Sequence, residues 1–233
     1  MLLLVVLGCT AKTDSAKNTG SVDSAISPPS PTLRVSDTSV SSALPKTKVL
    51  FFGTSLTAGY GLDPSIAYPR LIEQKSLGTD TPIEAINAGL SGETSAGAVR
   101  RIEWTLKNPV DIVVIETGGN DALRALDPDT LEANLDEIVT RAKKAQPSAK
   151  ILLVQMESPP NLGAAYNARF RAAYRNVARK QQVPLLPFLL DGVAGKDDLN
   201  QSDGVHPNEK GERIVAEKVC RSLQPYVESA SSH

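Results

Sequence analysis

The stretch KVLFFGTSLTAGYG, residues 48–61, decides how the rest of the chain is read. Its apolar run from Val49 to Phe52 stops at Gly53 and gives way to Thr54, Ser55 and further glycines. Four apolar residues closed by a glycine turn are the pattern of a short strand covered on both faces. The residues beyond Gly53 put hydroxyls and bare backbone at the carboxyl end of that strand. In an open parallel sheet, ligands bind at that edge.

The same pattern recurs along the chain. Short apolar, often β-branched runs predict strands over 49–52, 83–87, 111–116, 151–155 and 184–188. Between them, apolar residues spaced three or four apart predict helices over 68–77, 95–107, 129–145, 164–181 and 208–223. Pro128 and Asp129 open one helix with start chemistry, and Pro207 precedes an Asn208 cap or sits in the first turn. Strands alternating with helices imply right-handed crossovers and a parallel sheet between two helical layers. The expected class is α/β: a three-layer α/β/α, flavodoxin-like sandwich on a five-stranded parallel sheet.

Composition narrows the function classes. A chain of 233 residues with 41% hydrophobic content can hold one sizeable domain plus something extra. A net charge of −1 gives no basic footprint for nucleic acid. With 4% aromatics, extended stacking platforms for bases or sugars are not expected. Two cysteines, Cys9 and Cys220, are too few for a disulfide framework or a structural zinc cluster. Cys220 lies in a helical pattern and reads as a buried core residue. Only two histidines occur, and His233 ends the sequence, so a histidine-dependent enzyme must use His206. A zinc site of several imidazoles is excluded by the same count, and no cofactor is expected.

The first residues, MLLLVVLGCT, are too few to span a bilayer, which takes about 20 residues. They read as the end of a secretory apolar region. Val6-Leu7-Gly8-Cys9 resembles a bacterial lipobox, which implies lipidation of Cys9; an ordinary signal peptide cleaved elsewhere is the alternative. Residues 10–46, rich in Ser, Thr, Ala and Pro, cannot bury enough surface to offset their ordering entropy. The expected organisation is a signal peptide and lipobox over 1–9, a flexible linker over 10–46, a folded domain over 47–228 and a disordered tail over 229–233. That organisation describes an exported monomer held at a bacterial membrane by a lipid anchor alone, with the outer membrane favoured because Thr10 follows the cysteine.

The loops after the predicted strands carry the chemistry. GTSLTAG follows the first strand and presents Ser55 at the sheet edge. It is no P-loop, since the glycine spacing is wrong and no Lys follows, and Thr57 breaks the G-x-S-x-G pattern. Alone, Ser55 reads as a turn or cap residue as readily as a nucleophile. NAGLSGETSAG follows the second strand, and its Gly89 and Gly92 allow close backbone approach or positive φ. ETGGND follows the third. Its Asn120 is either an Asx turn or an amide donor for a developing oxyanion. Near the end, QSDGVHPN sets Asp203 three residues before His206, a spacing that lets a carboxylate reach the imidazole and hold its tautomer. Each segment alone is ambiguous, but all of them fall where such a sheet builds its site.

These segments together resemble the SGNH hydrolases, or GDSL esterases, over residues 48 to about 226. The likeness is closest to bacterial arylesterases and thioesterase/lysophospholipases. FFGTSLTAGYGL resembles the first block of that family, INAGLSGETS the second, IETGGND the third and DGVHPN the fifth, and YNARF and VPLLPF also look like that branch. The resemblance implies Ser55 as nucleophile, His206 as general base and Asp203 as its orienting partner. It implies an oxyanion hole from the Ser55 N–H, the Gly92 N–H and the Asn120 side chain. The usual Gly-Asp-Ser-Leu is Gly-Thr-Ser-Leu here, so activity is expected to survive while hydrogen bonding around Thr54 changes.

The activity so implied is serine esterase chemistry on short- to medium-chain carboxylic esters, aryl esters included, with thioesters or lysophospholipids as further substrates. The partner is then a small-molecule or lipid ester. The segment MESPPNLGAAY after the fourth strand is expected to wall the pocket. A carbohydrate O-acetyl esterase is the alternative within enzymes. Outside them stand a non-catalytic lipoprotein that binds a small anion, which leaves the Asp203–His206 pair unexplained, and a flavin or nucleotide binder, for which the phosphate cradle is missing.

Overall fold

The computed structural model describes residues 45–230. The predicted signal peptide, with Cys9, and nearly all of the predicted linker lie outside the described residues.

Five strands form one sheet: β1 (Thr47–Gly53), β2 (Ile83–Gly89), β3 (Ile112–Ile115), β4 (Lys150–Val154) and β5 (Leu185–Leu186). Every pairing is parallel and the order is β2-β1-β3-β4-β5. The first strand is an inner one, flanked by β2 and β3. Val49, Phe51 and Phe52 are 0% exposed and Leu50 is 2% exposed, as a strand covered on both faces requires. β2 departs from that expectation: only Ile83 is fully buried, because β2 is an edge strand.

The helices are α1 (Ser55–Ala58), α2 (Tyr68–Ser76), α3 (Ser95–Thr105), α4 (Gly119–Leu123), α5 (Pro128–Ala145), α6 (Ala164–Gln181) and α7 (Glu209–Ala230). α3, α5 and α6 pack together as one layer, and α2 packs with α7 as the other. The predicted three-layer sandwich is the one observed. Asn208 caps α7, its Oδ1 accepting from Lys210 N–H at 3.0 Å and Gly211 N–H at 3.1 Å.

Three features differ from the sequence reading. α1 and α4 stand in segments that read as loops, because four or five residues are too few to show a helical period. β5 shrinks to two residues. α7 continues past Leu223 and through Pro225 to Ala230, so Ser229 and Ala230 are its last turn rather than a tail. Leu223 and Val227, four apart and buried, keep that extension on the core.

One close approach brings the site elements together. A Cβ on Gly89 would stand 2.3 Å from the Ala58 nitrogen and 2.8 Å from the Thr54 oxygen. Only glycine lets the end of β2 touch α1 there.

Glu212 of α7, 2% exposed, accepts the Tyr68 N–H at 2.9 Å and so anchors the start of α2. Burial pushes its carboxyl up to about 8, against the pull of that N–H. A carboxyl raised on folding holds a proton that the unfolded chain has already released, so this contribution is present below the ordinary carboxylate range and is lost as pH rises toward 8. Thermal stability is therefore expected to fall between pH 5 and 8, by roughly 3–4 kcal/mol from this residue. Glu212→Gln keeps an acceptor for Tyr68 and removes the titration, so its melting temperature should depend less on pH over that interval. Parallel curves for the two proteins would refute the assignment.

Candidate active site

The site lies at the carboxyl edge of the sheet, where the connections leaving β1 and β3 run to opposite sides of the strand order. Neighbouring connections part there, leaving the crevice that open α/β sheets use for ligands.

Ser55 is the first residue of α1, directly after β1. Its backbone N–H belongs to the first turn of a helix, where no intrahelical acceptor exists. Its Oγ lies 2.9 Å from His206 Nε2. The other ring nitrogen, Nδ1, lies 2.6 Å from Asp203 Oδ2. Asp203 Oδ1 in turn accepts the backbone N–H groups of Val205 at 2.9 Å and His206 at 3.0 Å. The His206 backbone and ring donors, then the Val205 N–H, hold the Asp203 carboxyl down at about 2. An ionised carboxylate only accepts, so Nδ1 carries the ring proton and Nε2 is left to accept from the Ser55 hydroxyl. The order Ser55–His206–Asp203 is thus a directed chain of hydrogen bonds.

Gly92 and Asn120 line the same cleft as Ser55 and His206. Gly92 sits at φ +78°, a conformation that glycine adopts without strain. Asn120, in α4, donates one amide hydrogen to the Glu93 carbonyl at 3.0 Å, which leaves its second hydrogen available. The cleft measures about 1000 Å³. Met156, Pro160 and Leu162 from the loop after β4 form part of its wall, as expected for that loop, with Phe188 and Leu123 adding apolar surface.

Beneath the nucleophile loop lies a feature absent from the sequence reading. Glu116, 0% exposed at the end of β3, accepts the Thr54 N–H at 2.8 Å, the Thr54 hydroxyl at 3.0 Å and the Thr57 hydroxyl at 2.9 Å. Thr57 Oγ1 is also 3.0 Å from the Tyr68 hydroxyl. Desolvation pushes the Glu116 carboxyl above its usual range, opposed by these donors. Threonine at position 54 therefore has a direct consequence. An aspartate pointing the same way would set carboxylate against carboxylate; the threonine hydroxyl sets a donor against an acceptor. The one signal for Glu116 in the sequence is a charged residue joined to a wholly apolar strand.

Glu116→Ala would leave three buried donors without an acceptor, at an expected cost of about 3–5 kcal/mol in stability. Denaturant unfolding measures this, and a loss under roughly 1 kcal/mol would show that the donors find other partners.

The ring of Tyr60 lies over His206 with centroids 4.7 Å apart, a contact also absent from the sequence reading. Cys220 is half-buried against the core rather than fully enclosed, and burial raises its thiol pKa. Among the described residues, no group of three or more His, Cys, Asp or Glu side chains could hold a metal ion. Also among them, no helix is long and apolar enough to cross a membrane.

An α/β/α sandwich carrying a hydroxyl, an imidazole and a carboxylate in series beside an apolar cleft defines a serine hydrolase class of protein. The model of the GDSL-like lipase/acylhydrolase family matches residues 51–214. The chain is 37% identical to thioesterase 1/protease 1/lysophospholipase L1 of Escherichia coli (strain K12) over 180 residues, 77% of this chain and 84% of that one. It is 35% identical to esterase TesA of Pseudomonas aeruginosa over 178 residues, 76% of this chain and 88% of that one. Among solved structures, esterase EstA from Pseudoalteromonas sp., inhibited by monoethylphosphonate, superposes with a TM-score of 0.74 at 31% identity, over 78% of this chain and 100% of that one. The chain belongs to the GDSL-like lipase/acylhydrolase family and is a serine-type carboxylic ester hydrolase.

Proposed function

We propose that Ser55 is the nucleophile of this esterase, His206 its general base and Asp203 the residue that orients the imidazole. The observation that carries this reading is the continuous hydrogen-bond chain from Asp203 through His206 to Ser55. As Ser55 Oγ attacks an ester carbonyl, Nε2 takes the hydroxyl proton. The oxyanion meets the Ser55 N–H, the Gly92 N–H and the free hydrogen of the Asn120 amide. Nε2 then hands its proton to the departing alcohol, leaving Ser55 acylated. Water repeats the sequence, and the acid leaves. Asp203 stays ionised throughout, which favours the imidazolium formed in each half-reaction.

The substrates are short- to medium-chain carboxylic esters, aryl esters among them. The apolar side chains of Met156, Pro160 and Leu162, with Phe188 and Leu123, support an acyl or aryl group in the cleft. Thioesters and lysophospholipids join the substrate class through the likeness to the Escherichia coli relative, whose name carries both activities. The protein works as a monomer, exported and tethered through a lipid on Cys9 and the segment 10–46.

Labelling with a fluorophosphonate probe tests the site. Wild-type protein should be modified, and Ser55→Ala and His206→Ala should not. Folded wild type that resists the probe would overturn the nucleophile assignment.

A further inference from the structure

Arg101 stands on α3 and does not line the cleft, yet each nitrogen of its guanidinium is engaged. Nε lies 3.0 and 3.1 Å from the two carboxylate oxygens of Glu93, and Nη2 lies 2.7 Å from one of them. Nη2 also donates to the Gly53 carbonyl at 3.3 Å. Nη1 donates to the Ala88 carbonyl at 3.0 Å and reaches Thr105 Oγ1 at 3.5 Å. The guanidinium lies 4.1 Å from the centroid of the Phe52 ring. The pair is largely shielded from water, with side-chain exposures of 18% for Arg101 and 6% for Glu93.

These contacts tie together three backbone segments that converge on the site. Gly53 ends β1, Ala88 lies at the end of β2, and Glu93 directly follows Gly92. Gly97 completes the arrangement: a Cβ there would stand 2.8 Å from Glu93 Cγ, so the first turn of α3 is cut away where the Glu93 side chain folds over it. The Glu93 carbonyl is also the acceptor that holds the Asn120 amide. Both non-nucleophile donors assigned to the oxyanion hole therefore meet at Glu93: Gly92 through the peptide they share, whose carbonyl also accepts from Arg124 Nη2 at 3.1 Å, and Asn120 through its hydrogen bond.

We infer that the Arg101–Glu93 pair is a positioning device for the oxyanion hole, fixing Gly92 and Asn120 so that they meet charge that develops only in the transition state. This rests on the assignment of those two donors to the hole. A guanidinium suits the task because it binds the carboxylate side-on and still has donors left for two carbonyls. A lysine ammonium, a point charge on a flexible stem, cannot serve all of these acceptors in one geometry.

The test is a double-mutant cycle on hydrolysis of p-nitrophenyl butyrate. Arg101→Lys is expected to lower kcat by roughly 10- to 100-fold, the scale of a small misplacement of catalytic donors. KM should stay within about twofold, since ground-state binding does not use the hole. Inhibition by butylboronic acid, which forms a tetrahedral adduct on the serine, should weaken by about the same factor as kcat. Glu93→Gln, which keeps the side chain's shape while removing its charge, should reproduce the split between kcat and KM. In an Asn120→Ala background the effect of Arg101→Lys should shrink to a few-fold, because one of the two positioned donors is already gone. Each variant is to be compared with wild type at a temperature where both remain folded by near-ultraviolet circular dichroism.

The outcomes separate the two readings. If Asn120→Ala alone is fully active, the hole assignment fails and the positioning role goes with it. If Asn120→Ala is severely impaired and Arg101→Lys loses its full factor again on top, the hole stands and the positioning role is overturned. A rise in KM with kcat unchanged would also overturn it, since Arg101 would then act on substrate binding.

Discussion

Ser55→Ala is expected to reduce ester turnover by a factor on the order of 10⁵–10⁶, and His206→Ala by a comparable factor. The reason lies in the 2.9 Å contact between Ser55 Oγ and Nε2. A hydroxyl is a weak nucleophile until a base takes its proton, and the imidazole has no productive role without the hydroxyl. The two groups therefore act as one unit, and the double variant should be little slower than either single variant. Whatever turnover remains would reflect substrate binding and the oxyanion donors alone. Steady-state kinetics of the three variants, with intact-mass analysis after a single turnover, checks this. Losses that multiply would refute a shared mechanism, and an acylated Ser55→Ala protein would place the nucleophile elsewhere.

The second large effect is expected from Asn120→Ala. Removing one hole donor costs roughly 3–4 kcal/mol of transition-state stabilisation, about 10²- to 10³-fold in kcat. KM should change little, because in the proposed role the amide meets an oxyanion and not the neutral carbonyl of the bound ester. The loss includes a local component, since the same side chain bonds the Glu93 carbonyl. Asn120→Asp separates the two: it keeps the size of the side chain but sets a negative charge against a developing negative charge, so it should be at least as damaging as alanine. An aspartate variant of near wild-type activity would exclude Asn120 from the hole.

Much of the site is legible in the amino-acid sequence because its parts are local. Asp203 and His206 lie three residues apart, and one turn of chain brings carboxylate to ring. Ser55 and Asn120 each follow an apolar run, and open parallel sheets place such positions at one edge. The two glycines of the second loop admit two uses in the sequence, and the fold assigns one to each: close approach at Gly89, positive φ at Gly92. α1 and α4 are not legible, since helices of one turn leave no periodic trace.

The supporting residues are hidden for a different reason. Glu116 meets Thr54 across 62 positions of sequence, and Arg101 meets Gly53 across 48. Nothing next to Glu116 in the chain says that three donors await it. An arginine in a helical pattern reads as a solvated face until the fold lays it over Phe52. Tyr60 and His206 are likewise brought together only by the sheet and its loops.

The class of fold, the sheet edge at which the candidate site sits and the residues proposed to react can all be read from the chain as a string of residues. Apolar periodicity and short motifs are properties of neighbouring residues, and they survive without coordinates. How the reacting groups are held is a property of the folded molecule alone. There Ser55 reaches His206 across 151 positions, Thr54 answers Glu116 with a donor, and Arg101 clamps the loop carrying Gly92. Such contacts need a buried polar group to find its partner at about 3 Å, and that pairing is made when the core closes around it.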